Sequence, residues 1–125
     1  MSMINGVCGY TIDGISVMIL SADDCTFSTG ITNTLTKSNY IDEITDAYKK
    51  AEAKLDGEVK MVLAYGIMVK SADDVSGDGY VDVLSNLSNN APIFGGLASD
   101  NFNFSNNRVF RNETCVADAM NMVLI

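Results

Sequence analysis

The stretch YIDEITDAYKKAEAKLDGEVKMVLA, residues 40–64, decides the fold. Its first part spaces apolar side chains by three and four residues, at Ile41, Ile44, Tyr48, Ala51 and Leu55. This spacing predicts a helix over residues 40–55 with one apolar face, and its acids lead while its lysines trail, as the helix dipole favours. Ser38 or Asn39 is expected to cap the helix, and Gly57 is expected to end it. The apolar run at residues 59–64 then predicts a buried strand.

Three further strands are predicted before this helix. The apolar residues 15–20 predict a buried strand, which Asp13 and Gly14 would join to a glycine-bent strand at residues 4–12. Residues 26–35 are Thr-rich and alternate only weakly between apolar and polar side chains, which predicts an edge strand.

A second helix and a short strand are predicted after residue 64. Apolar side chains recur along residues 80–87 at helical spacing, and Asp78 is expected to cap this helix. Residues 91–94 predict a brief strand with Pro92 near its start, and Gly95 and Gly96 are expected to break the chain after it. A positive φ is expected at this glycine pair. Gly96→Val would strain such a backbone, and we expect it to impair ligand binding more than folding.

The remaining segments predict a β-hairpin and a closing strand. Residues 102–105 and 108–111 are expected to pair as the two strands of the hairpin. Asn106 and Asn107 lie between them, and Asn tolerates positive φ in two-residue loops. Residues 116–124 predict the closing strand. The whole order predicts an α/β protein of mixed α+β type: a mixed sheet covered by at least two helices, with a C-terminal β-hairpin and closing strand.

Composition predicts one domain over residues 1–125, because no Pro-rich, Gly/Ser-rich or charge-block segment divides the 125 residues. The net charge is −8, and the eight Lys and Arg residues are scattered. Binding to nucleic acid or to an anionic membrane needs clustered positive charge, so neither partner is expected.

A cytoplasmic location is predicted from three features of the sequence. The N-terminus lacks the basic region of a signal peptide, and no apolar run is long enough to span a bilayer. The cysteines Cys8, Cys25 and Cys115 are odd in number and form no CxxC pair, which is typical of free thiols in a reducing compartment.

The chain contains no histidine. This excludes Ser-His-Asp and Cys-His nucleophile activation, and it excludes metal sites that need His ligands. We therefore expect a protein that is not an enzyme, with no catalytic residue, metal or cofactor.

Residues 74–82 match the first nine positions of an EF-hand calcium loop, with Asp74, Ser76, Asp78 and Asp82 at ligand positions. Ser85 stands at the twelfth position, where a bidentate Glu is required. The favoured interpretation is a glycine-rich turn whose Asp78 caps the next helix, and calcium binding is the alternative.

The candidate ligand site is the segment Gly95, Gly96, Leu97, Ala98, Ser99 and Asp100, with Tyr65 and Gly66 beside it. Glycines at the end of a buried strand let a ligand approach backbone amides, and Ser99 and Asp100 add a hydroxyl and a charge. A tight turn or β-bulge without a ligand is the alternative interpretation.

The order of elements, together with the segments GISVMI at 14–19, VLAYG at 62–66 and APIFGGLASD at 91–100, resembles the FIST N-terminal domain. This resemblance implies an intracellular sensor of small, amino-acid-like ligands that is coupled to a signalling output domain. The family domain has a further strand and helix before the segment that begins near Gly6, and a C-terminal FIST module after it. The resemblance therefore implies that residues 1–125 are incomplete relative to the family.

The alternative function is a non-enzymatic oligomerisation or protein-interaction module with no ligand. The apolar residues 122–125 are expected to form an open sheet edge, which could pair in a homodimer.

Overall fold

A computed structural model describes residues 17–67, 75–99, 103 and 107–125. Within these ranges the chain forms six strands and two helices in the following order: β1 Ser28–Ile31, α1 Tyr40–Glu52, β2 Val62–Ile67, α2 Gly77–Leu87, β3 Ile93–Ala98, β4 Arg108–Arg111, β5 Thr114–Ala117 and β6 Asn121–Leu124. Neither helix has the length and apolar character needed to cross a bilayer, as far as the described residues extend.

Four strands form a mixed sheet in the order β1-β6-β2-β3. Strands β2 and β3 are parallel, with Val62 opposite Ile93 and Ile67 opposite Ala98, and α2 connects them. Strand β6 is antiparallel to both of its neighbours, β1 and β2. The outermost strands, β1 and β3, form the edges of the sheet among the described residues.

The two helices contact each other and pack on one face of the sheet. Their apolar faces bury a core against β2 and β6 that includes Ile44, Tyr48, Val62, Leu84, Met122 and Leu124. The antiparallel hairpin β4–β5 lies against the other face, where β4 contacts β1, β2 and β6. Arg111 Nε donates to Thr29 Oγ1 at 2.8 Å, and Asn121 Nδ2 donates to the Phe110 carbonyl oxygen at 2.7 Å. The predicted fold class is confirmed: a mixed sheet, two helices, a hairpin and a closing strand.

Helix α1 confirms the predicted apolar stripe at Ile44, Tyr48 and Ala51, but Ile41 is 52% exposed and the helix ends at Glu52. Asn39 occupies the N-cap position, but its side chain makes no capping bond and instead accepts a hydrogen bond from the Thr36 amide at 2.7 Å. Ala53 occupies the C-cap position, and Gly57 lies in the turn that follows, with a φ of +128°. The predicted helix extends three residues too far, to residue 55, because the apolar Leu55 continues the spacing pattern beyond the last helical turn.

The buried strand predicted at residues 15–20 is wrong over its described part. Residues 17–20 are exposed and form no strand, and Val17 is 79% exposed. No described strand pairs with this run, so its apolar character alone does not bury it. The strand predicted at residues 4–12, its Asp13–Gly14 turn and residues 15 and 16 lie outside the described residues. The edge strand predicted within residues 26–35 is confirmed as β1.

The predicted chain break at Gly95 and Gly96 is also wrong, because β3 continues through both glycines to Ala98. The parallel ladder with β2 holds this segment extended, although a glycine pair lacks the side chains that favour a strand. A positive φ occurs at Gly95, at +152°, and is not found at Gly96. Strand β2 likewise begins three residues later than predicted and runs through Gly66 to Ile67.

The cap of the second helix differs from the prediction. Helix α2 begins at Gly77, and the Ser76 hydroxyl accepts from the Gly79 amide at 3.2 Å, so Ser76 takes the capping role predicted for Asp78. Because residues 77–82 are helical, they do not form the extended loop of an EF-hand, and Asp74 lies outside the described residues.

The hairpin that the structure shows lies after the predicted one, and the pairing predicted for residues 102–105 stays a prediction. Strand β4 pairs with residues 114–117, and Asn112, with a φ of +52°, lies in the turn between the two strands. Asn occurs at both candidate turns and tolerates this φ at either, so the turn residues alone do not identify the hairpin. Of the predicted partner segment, the structure describes Asn103 alone. The closing strand predicted over residues 116–124 is divided, because β5 ends at Ala117, Asp118 has a φ of +52° and β6 begins at Asn121. Strand β6 lies between β1 and β2, so the open edge predicted at residues 122–125 is wrong.

Candidate functional site

A cavity of about 300 Å³ lies between α2 and the edge of the sheet formed by β2 and β3. Its wall is mostly apolar and is formed by Ala64, Gly66, Gly77, Tyr80, Val81, Leu84, Ile93, Phe94, Gly95, Gly96, Leu97 and Met120. This volume is at the lower end of the range for small-molecule sites. The cavity therefore has room for one compact apolar group.

The helical side of the cavity comes from one face of α2. Gly77, Tyr80, Val81 and Leu84 recur at the three- and four-residue spacing that aligns side chains on a helix. Leu84 and Tyr80 are buried, whereas Val81 is 48% exposed and lies at the outer rim. The cavity thus has a buried floor and an opening beside β3.

Two glycines set the shape of the sheet side of the cavity. A Cβ at Gly66 would lie 2.9 Å from Tyr80 Cε2, so the tyrosine ring packs directly on the backbone of β2. Gly95 has a φ of +152°, and a Cβ there would overlap the carbonyl oxygen of Ala64 on the neighbouring strand. Both positions require glycine, because a side chain at either would displace a wall of the cavity.

The outer edge of β3 presents backbone groups beside the cavity. The Val62 amide donates to the Pro92 carbonyl oxygen at 2.9 Å, which sets the register of the parallel ladder. In such a ladder alternate residues point their amide and carbonyl groups to the same neighbour, so Phe94 and Gly96 face β2. The amides and carbonyls of Gly95 and Leu97 consequently face away from β2. Among the described residues no strand pairs with this edge.

The structure brings together four of the eight site residues predicted from the sequence. Gly66, Gly95, Gly96 and Leu97 all line the cavity. Tyr65 pairs with Gly96 in the ladder, and the alternation of side chains along β2 points Tyr65 to the face of the sheet away from the cavity.

The other predicted site residues lie beyond this group. Ala98 ends β3 and Ser99 follows it, and neither lines the cavity. Asp100 lies outside the described residues, so its predicted role stays a prediction.

Sequence reasoning missed the contribution of α2 and of Met120. The signal was present, because residues 77, 80, 81 and 84 share one helical face next to a glycine-rich strand. The sequence alone does not show that α2 and β3 border one cavity, because this depends on β2 and β3 being parallel neighbours. In a βαβ unit the connecting helix packs over both strands.

The helix that borders the cavity carries acidic side chains on its exposed side. No charged side chain is in its described wall, while Asp78 and Asp82 lie one turn apart on the exposed side of α2. Residues 75–99 contain no Lys or Arg. Within the described part of the chain, no three His, Cys, Asp or Glu side chains are grouped as metal ligands.

A second cavity of about 350 Å³ lies near the C-terminal ends of the two helices. Its wall is more polar and includes Tyr48, Glu52, Glu58, Lys60 and Ser88. The hydroxyls of Tyr48 and Ser88 are buried and make no hydrogen bond. The described residues of its wall include no glycine, in contrast to the cavity beside β3.

These features define a mixed α/β domain with an apolar cavity at an open sheet edge. The chain belongs to the FIST N domain family, whose model matches residues 2–125. Domains of this family are in general sensory, ligand-binding modules of signalling proteins. The search of curated proteins and the search of solved structures found no match to the chain.

Proposed function

We propose that this chain is the ligand-binding part of an intracellular sensory domain, and that its ligand binds in the cavity between α2 and β3. The observation that carries this proposal is the glycine-shaped wall: Gly66 and Gly95 cannot accept a side chain, and both border an apolar cavity at a strand edge.

The composition of the cavity wall supports a ligand with a compact apolar part. Burying an aliphatic group here removes apolar surface of both partners from water. The polar ends of the ligand would bind to the outward-facing amide and carbonyl groups of Gly95 and Leu97. An apolar amino acid such as leucine has this combination of groups, in agreement with the amino-acid-like ligand that the family resemblance implies.

The proposed role is non-catalytic, in the cytoplasm, with a signalling output domain as the downstream partner. The support is the absence of His from the sequence, the acidic net charge and the sensory role of the family. Ser99 and Asp100 remain proposed contacts for the polar end of the ligand.

Thermal unfolding in the presence of amino acids tests this proposal. We expect L-leucine, L-valine or L-methionine to raise the thermal midpoint with increasing concentration, and L-aspartate to leave it unchanged. Val81→Trp should fill the rim of the cavity and weaken binding by about tenfold or more, whereas the matched change Val17→Trp at an exposed valine should not. A thermal midpoint that responds to none of these amino acids would refute an amino-acid ligand.

A homodimer is the second candidate function, and the open edge of β3 favours it. Phe94 is 57% exposed on this strand, and Leu97 is also exposed. Edge-to-edge pairing of two copies would bury both side chains and extend the sheet. Light scattering that shows a monomer over a wide concentration range would refute this candidate.

A further inference from the structure

We propose that the groove between α2 and β3 binds an extended peptide, which adds as a new strand to the outer edge of β3 and carries an apolar side chain with basic neighbours. This inference rests on the proposed function, because it uses the same cavity, and it specifies the ligand as a peptide segment rather than a free amino acid.

The strand edge supplies the main-chain part of this recognition. The amide and carbonyl groups of Gly95 and Leu97 face away from β2, and among the described residues no strand pairs with them. A single amino acid reaches only one or two of these groups, whereas an extended backbone can pair with several in succession. Peptides that add to an exposed edge use this row of hydrogen bonds for affinity.

The cavity supplies the side-chain part. In an added strand alternate side chains point to the same face of the sheet, so one residue of the peptide would point toward α2. The apolar face formed by Tyr80, Val81 and Leu84 lies on that side, and the space of about 300 Å³ accepts a Leu or Val side chain. The exposed Leu97 and Val81 form the rim over which this side chain would pass.

Charge complementarity identifies the flanking residues of the peptide. Asp78 and Asp82 are exposed on α2, and residues 75–99 contain no basic side chain to neutralise them. The net charge of the chain is −8. A peptide with Lys or Arg beside its apolar residue is therefore attracted to this groove, and an acidic peptide is repelled.

Titration with synthetic peptides tests the inference. The probe is acetyl-Lys-Val-Leu-Val-Lys-amide with a fluorescent label, and the comparison peptides replace Lys with Glu or N-methylate alternate backbone amides. We expect the Lys peptide to bind, and N-methylation to weaken binding by about tenfold or more because edge hydrogen bonds are lost. Asp78→Asn combined with Asp82→Asn should weaken binding in low salt, whereas the matched pair Asp42→Asn and Asp56→Asn should leave it unchanged.

The outcomes separate this inference from the proposed function. Binding of L-leucine without binding of the peptide would overturn the peptide inference and retain the cavity as a ligand site. Equal binding of the peptide and its N-methylated form would overturn strand addition. A self-associated chain that the peptide cannot dissociate would assign the edge to a second copy and overturn the inference. If neither leucine nor any of the peptides binds, both proposals fail.

Discussion

At the scale of single residues, Gly95 and Gly96 differ in the space that a side chain would find. Gly95→Ala places a Cβ against the backbone of Ala64 at a φ of +152°, whereas a Cβ at Gly96 meets no atom within 4 Å. We expect Gly95→Ala to lower the free energy of unfolding by more than about 3 kcal/mol, or to prevent folding. Gly96→Ala should change it by less than about 1 kcal/mol. Urea denaturation measures both variants.

The sequence led to the expectation that a positive φ at this pair makes Gly96→Val impair ligand binding more than folding, but the structure has the positive φ at Gly95 and not at Gly96. The sequence identified the glycine pair, but the residue that needs glycine depends on which one faces Ala64 in the parallel register. Equal losses of stability for the two alanine variants would contradict the close approach of Gly95 to Ala64.

Tyr48 is 1% exposed, its hydroxyl has no hydrogen-bond partner, and its pKa is raised to about 12 by burial and by the nearby Glu52 carboxylate. A pKa raised from 10 means that ionisation of this phenol opposes folding, so the protein keeps its stability below pH 10 and loses part of it as the pH rises from about 10 to 12. We expect the loss to be on the order of 1–3 kcal/mol.

Tyr48→Phe isolates this effect, because it removes the ionisable hydroxyl and keeps the ring in the core. At pH 7 the variant should be as stable as the parent or more stable, since an unpaired buried hydroxyl is removed. Between pH 10 and 12 it should lose less stability than the parent in urea denaturation. Identical pH profiles would show that the Tyr48 hydroxyl is not the group responsible.

At the scale of secondary structure, the N-terminus of α2 depends on Ser76. Its hydroxyl accepts from the Gly79 amide at 3.2 Å, and Ser76→Ala removes this bond from the first turn of the helix. We expect a loss of about 1 kcal/mol in the free energy of unfolding, and Ser76→Asp should retain most of the stability because it can accept the same bond. A loss that is larger for Asp78→Ala than for Ser76→Ala would return the capping role to Asp78.

The helices and the strand β2 could be predicted from the sequence, because their apolar patterns have a clear period and are confirmed by burial against a common core. Strand β3 could not, because Gly95 and Gly96 carry no side chains and their extended form comes from pairing with β2. The β4–β5 hairpin could not be predicted for a related reason: Asn residues that favour turns occur at several positions, and they do not show which segments pair with residues 108–111. Residues 17–20 show the converse, an apolar run that no described strand covers.

At the scale of the whole molecule, the fold explains why the candidate site lies at β3. The two helices occupy one face of the sheet, the β4–β5 hairpin lies on the other, and β6 is enclosed between β1 and β2. Among the described residues this leaves β1 and β3 as edges, and α2 stands beside β3. Sequence reasoning predicted the glycines and Leu97, but the opposing face of α2 required the three-dimensional arrangement of the βαβ unit.

Ligand binding in the cavity between α2 and β3 is tested most directly by an NMR titration of ¹⁵N-labelled protein. We predict that L-leucine or the Lys-containing peptide shifts the backbone amide signals of Gly77, Val81, Gly95, Gly96 and Leu97 the most. Signals of the β4–β5 hairpin, including that of Phe110, should change little. Absence of any shift with both probes, or largest shifts at the hairpin or at Glu58 and Ser88 in the second cavity, would contradict binding at this site.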